Sequence, residues 1–378
     1  MVQSSRPPAN AFVARARKVY NPIGFSKGYN FVLWFIFLGA LFGFTLARLE
    51  YLNIWGVFCG NGSGGALPGE CFYYTKPGRY QIGIILHLGC ILPAALLACL
   101  QFIPVVRHKA TIVHRVNGWL VVLLSLIGTS GAFMIVRRSF GGGLDIQTGI
   151  GLIGVMFVVS LVLAVVNIKR LQIEQHRAWM LRAWFYVSPS DSTSSEALSY
   201  LLTPLMQQAG SIITLRIIMI IAVIILSNIG GYDVVEPCDK IEYTLKSADA
   251  TLSLYPECAS FLSGENLGQQ ALVSANYHGT NPVEIAAAFN MVFGSAAWLA
   301  FALHAVGIEI YLHLTPAEAE RLRNVSYQRQ MEAGMRHPGR SGLTADRLGD
   351  AEKWQPVEAK TENKVAAGSD SQLSTSSP

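Results

Sequence analysis

Three histidines stand where an imidazole could do chemistry in a lipid bilayer. His87 lies inside an apolar run, His114 heads the next run, and His176 heads a later one. Imidazoles carried on neighbouring membrane helices suit the axial positions of a haem iron. Arg115, Arg177, Arg182 and Arg216 accompany them, and guanidinium groups near helix ends can neutralise haem propionates. The sharpest expectation is a haem b transmembrane electron carrier or oxidoreductase, with His87, His114, His176, Arg115, Arg177, Arg182 and Arg216 as the cofactor-binding set. His114 and His176, at the cytosolic ends of their spans, are the expected iron ligands. His87 lies near the other face and needs another partner, for which His278 is the candidate. The plainer expectation is that His114-Arg115 and His176-Arg177 are interfacial residues snorkelling to headgroups, and that His87 is satisfied by an interhelical hydrogen bond.

Arg216 sits deep in an apolar stretch, where a guanidinium needs an acceptor. The only intramembrane carboxylate is Glu309, near the end of the last span, which leaves a bound anion or a water-filled cavity lined by Gln101 and Asn167. For Gln101 and Asn167 the plain alternative is helix-to-helix hydrogen bonding. A second class of function follows: a haem-free intramembrane enzyme acting on a lipophilic small molecule. Its acid–base work would fall to His87, His176 or Asp145, with Trp119, Trp179, Trp184 and Phe185 shaping the pocket. No paired acids, metal-binding helix motif or nucleophile elbow supports it. A transporter or structural membrane protein is the third class, although no duplicated halves are visible.

The elements that must position these groups are membrane helices. Of 378 residues, 51% are hydrophobic and 14% charged, a balance too apolar for an ordinary soluble domain. The net charge of +5 is dispersed, which excludes a nucleic-acid partner and leaves the lipid bilayer as the main one. The expected fold is all-α: six spans around a four-helix core of spans two to five, with spans one and six packed outside it. Residues 1–30 are expected to be a loosely ordered basic cytosolic arm. Six spans follow within 31–312: Phe31–Ala47, Tyr80–Val106, Val116–Val136, Thr148–Asn167, the interrupted Gln175–Leu226, and one within Glu284–Leu312. The first is long enough to remain as a signal anchor. Residues 230–283 form a lumenal loop. A cytosolic helix over 313–337 opens with Thr315 as cap and Pro316 in the first turn, and 338–378 is a disordered tail.

Cys59, Cys71, Cys238 and Cys258 lie in loops on one side and predict disulfides in an oxidising compartment. The local pairs Cys59–Cys71 and Cys238–Cys258 are the simplest of three connectivities. Cys90 and Cys99 lie in a span and read as packing. Asn61-Gly62-Ser63 is a glycosylation candidate. Segments 1–30, 105–116 and 168–177 hold 11 Lys/Arg in 52 residues, against 7 in 103 for 48–79, 137–147 and 228–287. Both termini are therefore expected in the cytosol, in the endomembrane system or plasma membrane.

Val187–Gln208 is a polar piece inside an apolar helix pattern. Its residues allow codons that begin GT, contain CTGAC and end CAG, and 22 residues need 66 bases, the size of a short intron. Removing it joins Tyr186 to Ala209 in one hydrophobic helix. The segment is therefore read as translated intron; a spliced transcript retaining those bases would refute this.

His87, His114-Arg115-x-x-Gly118 and His176-Arg177-x-Trp179-Met180-x-Arg182 together resemble an uncharacterised family of predicted membrane proteins, the domain of unknown function 2306. The resemblance covers Tyr80 to Leu226. Beyond that core the chain is similar to the family's fungal branch, from Glu309 through Gln330, with Val187–Gln208 as the one departure. The resemblance implies membership and no chemistry. The histidine arrangement only loosely resembles di-haem transmembrane cytochromes, which pair their ligands at matched depth.

Overall fold

The computed structural model describes residues 7–60, 65–187, 211–340, 342 and 344–356, without the side chains of 186, 187 and 211–213. The protein is an all-α membrane protein. Five helices are long and apolar enough to cross a bilayer, with Thr214–Ile229 as a further, shorter apolar helix. The chain divides into two units: Met1–Val155 with Phe185–His304, and Met156–Trp184 with Ala305–Pro378.

The first unit begins with α1 (Ala11–Ile23), where a loose arm is expected from sequence. Asn10 Oδ1 accepts the Val13 amide at 2.9 Å, and Gly24 ends the helix at φ +104°. A side chain at Gly24 would also meet Pro104. An aromatic cluster of Tyr20, Phe25, Phe31 and Trp34 holds α1 to α2 (Gly28–Arg48). The second span is shorter than expected. α3 (Arg79–Gln101) stops before Ile103, whose ψ of 114° is the extended setting forced ahead of a proline; Pro104 starts the short α4 (Pro104–Lys109).

α3 and α5 (Thr111–Ile135) pack closely because glycines line their contact. A Cβ at Gly131 would lie 2.6 Å from both Gly83 O and His87 N, and one at Gly128 3.1 Å from Ile91 N. Small residues give membrane helices this close approach, since lipid supplies no hydrophobic drive between them.

α6 (Leu144–Lys169) begins in this unit and continues into the second. Its Ile146 packs with Met219, Val223 and Leu226 of α8 (Ser211–Ile229) and with Ala288, Val292, Phe293 and Ala296 of α12 (Pro282–His313). The last span therefore joins a buried cluster, where sequence places it outside the core. α12 has 32 residues and rises roughly 48 Å, so its ends stand beyond a ~30 Å hydrocarbon layer. Large apolar residues such as Phe35 and Val116 are exposed, as lipid-facing positions require.

The polar segment between α8 and α12 is an ordered subdomain. β1 (Asp233–Pro237) pairs antiparallel with β2 (Gln270–Ser274), and three short helices lie between them: α9 (Cys238–Leu245), α10 (Ala248–Leu254) and α11 (Ala259–Leu262). The Cys238–Cys258 disulfide is buried at its centre with Ile241, Val273 and Ala287. The second disulfide, Cys59–Cys71, fastens the loop after α2. Both pairs are the local ones; Cys90 and Cys99 are free. Asn61 lies outside the described residues.

In the second unit α6 turns at Leu171, with φ +56°, into α7 (Ile173–Val187). Residues 188–210, which take in all of the segment read as intron but Val187, lie outside the described residues. α13 (Pro316–Glu332) lies against the α6–α7 turn: the Ser326 hydroxyl accepts the Ile173 amide at 2.8 Å and donates to Glu174. Thr315 does not cap α13 as expected, because its hydroxyl donates backward to Tyr311 O at 2.9 Å. Part of the tail expected to be disordered is docked. Arg323 pairs with Asp346 at 2.7 Å, and Trp354 donates to Glu320 and stacks on Arg323 and Tyr327. α14 (Ala345–Leu348) lies in this segment.

Candidate functional site

The arginines separate first. Arg182 makes a bidentate pair with Glu309, 2.6 and 2.8 Å, across 127 residues of sequence. Arg177 donates to the Tyr311 hydroxyl at 3.1 Å. Arg115 is exposed on α5. The planar fork of Arg182 is matched by a carboxylate. Glu309, the one intramembrane acid that could have served Arg216, is spent in the same pair.

Arg216 differs. It lies on α8, its Nε is buried, and among the described residues it has no hydrogen-bond acceptor. Its guanidinium lies 5.9 Å from the centre of the Phe140 ring. That ring stacks on Phe293 at 3.7 Å. The charges that bear on Arg216 are Arg48, Tyr51 and Glu70.

Phe140 is held in an uncommon conformation. Its φ of 49° and ψ of 47° are left-handed, a setting that costs a bulky L-residue about 1–2 kcal/mol. Glu70 offsets it: the Phe140 amide donates to both carboxylate oxygens at 3.1 Å. Glu70 is 8% exposed and accepts from Tyr74, 1% exposed, at 2.9 Å. The Tyr74 hydroxyl also meets Ser139 Oγ at 2.8 Å. Burial pushes the Glu70 carboxyl above its usual range, against the pull of Tyr74, the Phe140 amide and Lys240. Burial, then the Glu70 charge, pushes the Tyr74 hydroxyl well up.

A second polar group closes on the first. Lys240 Nζ holds both oxygens of Glu236 at 2.8 and 2.9 Å, and Asn290 reaches Glu236 at 3.4 Å. Asn290 is 7% exposed, and its Oδ1 has no partner among the described residues. A Cβ on Gly69 would lie 3.2 Å from Lys240 Cε, and one on Gly141 3.0 Å from Asn290 Cβ. The backbone beside Glu70 and the backbone beside Phe140 thus both abut this group.

Sequence reasoning missed Glu70, Tyr74, Glu236, Lys240 and Asn290. The available signal was an acid adjacent to Cys71, a cysteine that a disulfide was expected to bury.

The histidines His87, His114 and His176 lie on α3, α5 and α7. His87 Nδ1 lies 2.9 Å from Gly128 O and His176 Nδ1 2.9 Å from Ala164 O. A carbonyl partner requires a proton on Nδ1, which leaves the lone pair on Nε2. His114 belongs to the first unit and His176 to the second. His278 hydrogen-bonds Asn276 through its amide and packs on Tyr277. His304, not singled out by sequence, is buried against Thr214 at 3.1 Å. No cluster of three potential metal-ligating side chains occurs among the described residues.

The other sequence candidates are structural. Gln101 donates to His114 O and Asn167 to Leu163 O. Asp145 accepts Trp298 through its backbone carbonyl. Trp119 is exposed, Trp184 packs on Phe157, Phe185 on Phe37, and Trp179 under Arg182.

Neither the curated proteins nor the solved structures contain a match to this chain. Residues 84–232, from the first turns of α3 to just beyond α8, match the family described as Predicted membrane protein (DUF2306), so that Phe140 and Arg216 lie inside the match and Glu70 outside it.

Proposed function

We propose that the chain binds a lipophilic molecule bearing an anionic group inside the membrane, with Arg216 as its anchor. One observation carries this reading: a guanidinium on an apolar helix with an aromatic ring beneath it and a buried Nε that has no acceptor among the described residues. An ionised group in lipid is costly unless it is paired, and an anionic headgroup supplies the missing acceptors while its hydrophobic body stays among the helices. This favours the haem-free reading, an intramembrane enzyme or carrier for a lipophilic small molecule, with Glu70 and Tyr74 as its proton-bearing groups in place of His87, His176 and Asp145. The disulfide face is the lumenal one in this reading, and both termini are cytosolic.

Haem b is the second reading, and one feature favours it. His87 and His176 each spend Nδ1 on a carbonyl, the arrangement that orients Nε2 for metal ligation. Haem would supply one-electron chemistry, and Arg216 would pair with a propionate.

Two measurements test the readings. The absorbance spectrum of detergent-purified protein comes first: a Soret band lost in His176→Ala selects haem, and a colourless preparation removes it. The second is binding of a fluorescent alkyl sulfonate, ionised at every working pH, to protein in zwitterionic nanodiscs. Arg216→Gln is expected to weaken it at least about tenfold, the equivalent of 1.4 kcal/mol. Equal affinity for the wild type and Arg216→Gln overturns the anion site.

A further inference from the structure

We propose that Glu70 exchanges a proton as the anion arrives at Arg216, so that ligand binding and protonation from the disulfide face are coupled. This deepens the anion-site reading and rests on it. The geometry is a closed set of contacts. Glu70 holds the Phe140 amide, the Phe140 ring lies under Arg216, and Gly141 abuts Asn290. Asn290 reaches Glu236, Glu236 is paired with Lys240, and Lys240 abuts Gly69 beside Glu70.

The groups around Glu70 come from five elements. Tyr74 and Ser139 belong to the loops that carry Glu70 and Phe140, Glu236 to β1, Lys240 to α9 and Arg216 to α8. Arg48 and Tyr51, at the end of α2, face Arg216. Lys240 is already matched by Glu236, with both oxygens in contact. The charge left to balance Arg216 is therefore Glu70. A buried ionised carboxylate and an arriving anion compete for the same positive charge, and protonating the carboxylate relieves the competition.

Glu236 and Lys240 line a void of about 10 Å³ with Pro68 and Thr244, close to the space one water needs. Next to it, Asp239 holds the Lys240 amide at 2.8 Å and lines an open cavity of about 610 Å³ with Glu242, Tyr243 and Lys246. The proton comes from the aqueous phase on this face. No bond in the ligand is made or broken.

The sign follows from linkage. Burial raises the affinity of Glu70 for its proton, so the carboxyl stays neutral to higher pH than an exposed glutamate. Wild-type affinity for the alkyl sulfonate in zwitterionic nanodiscs should be highest at low pH. It should fall as pH rises through the Glu70 titration, by at most about tenfold per unit, the limit for one proton. Glu70→Gln keeps an oxygen for the Phe140 amide and mimics the neutral acid, so its affinity should equal the low-pH wild-type value and be flat with pH. Tyr74→Phe removes a donor that favours the charged carboxylate, so its midpoint should move to higher pH; this variant serves if Glu70→Gln does not fold.

Arg216-dependent binding that is flat with pH in the wild type overturns the coupling and leaves the anion site standing. A pH slope retained in Glu70→Gln, or an unmoved midpoint in Tyr74→Phe, does the same. Binding indifferent to Arg216→Gln at every pH overturns the anion site itself.

Discussion

Replacing Gly131 by alanine tests whether the α3–α5 contact is as close as the structure places it. The new Cβ would sit 2.6 Å from Gly83 O and from His87 N, about 0.8 Å short of the 3.4 Å at which ordinary contact begins. Both are backbone atoms, so no rotamer change relieves the clash and α3 must retreat as a body. A retreat of that size takes the 2.9 Å contact between His87 Nδ1 and Gly128 O out of hydrogen-bonding range. Overpacking costs about 1–3 kcal/mol and the lost hydrogen bond about 0.5–1.5, while alanine returns up to about 1 through helix propensity. The expected net destabilisation is on the order of 1–3 kcal/mol. Gly89→Ala is the control: it lies on α3 with nothing within 4 Å of a new Cβ, and should be neutral or slightly stabilising. Cys90 and Cys99 are free thiols on the same helix, so thermal unfolding in detergent followed with a thiol-reactive fluorophore reports directly on α3. A Gly131→Ala midpoint at or above wild type would refute the close contact.

Removing either disulfide, Cys59–Cys71 or Cys238–Cys258, with sequence separations of 12 and 20, should cost about 3 kcal/mol, read as a lower thermal midpoint; the Cys59/Cys71 double serine variant should also lose the pH dependence of sulfonate binding, because Glu70 is adjacent to Cys71. Asp346, bonded by Arg323, has its carboxyl held down to about 2, so its contribution is present above the ordinary aspartate range and is lost as pH falls towards 2. Pepsin cleavage near Trp354 should accordingly stay slow at pH 4 and quicken only near pH 2, and Asp346→Asn should expose Arg347 and Lys353 to trypsin at neutral pH.

Much of the scaffold was legible in the chain. Apolar runs announce spans because a bilayer demands an unbroken hydrogen-bonded helix wherever it is crossed, and the helices fall within a few residues of those runs. The exception is the end of the second span, where Pro104 starts a new helix although it lies in the apolar run. The four loop cysteines were legible as disulfide partners, but which of the three connectivities forms was decided by the structure. Asn10 and Gly24 could have signalled α1, but the basic composition of the arm masked the cap.

The candidate site was legible only in part. Arg216 stood out by its type and place, yet sequence could not separate it from Arg182. That distinction required Glu309 to arrive from 127 residues away. The Phe140 amide and Tyr74 gather on Glu70, and Ser139 meets Tyr74, across separations of up to 70 residues, while Asn290 meets Glu236 across 54.

What the sequence determined by itself is therefore what short-range chemistry dictates: which segments are apolar enough for lipid, which cysteines lie near one another, and which side chains are too polar to go unanswered in a membrane. Which of those polar groups find partners was decided only by the tertiary structure. Pairing depends on distances between elements far apart in the chain, and an ionised group changes its role within a few ångströms of an opposite charge.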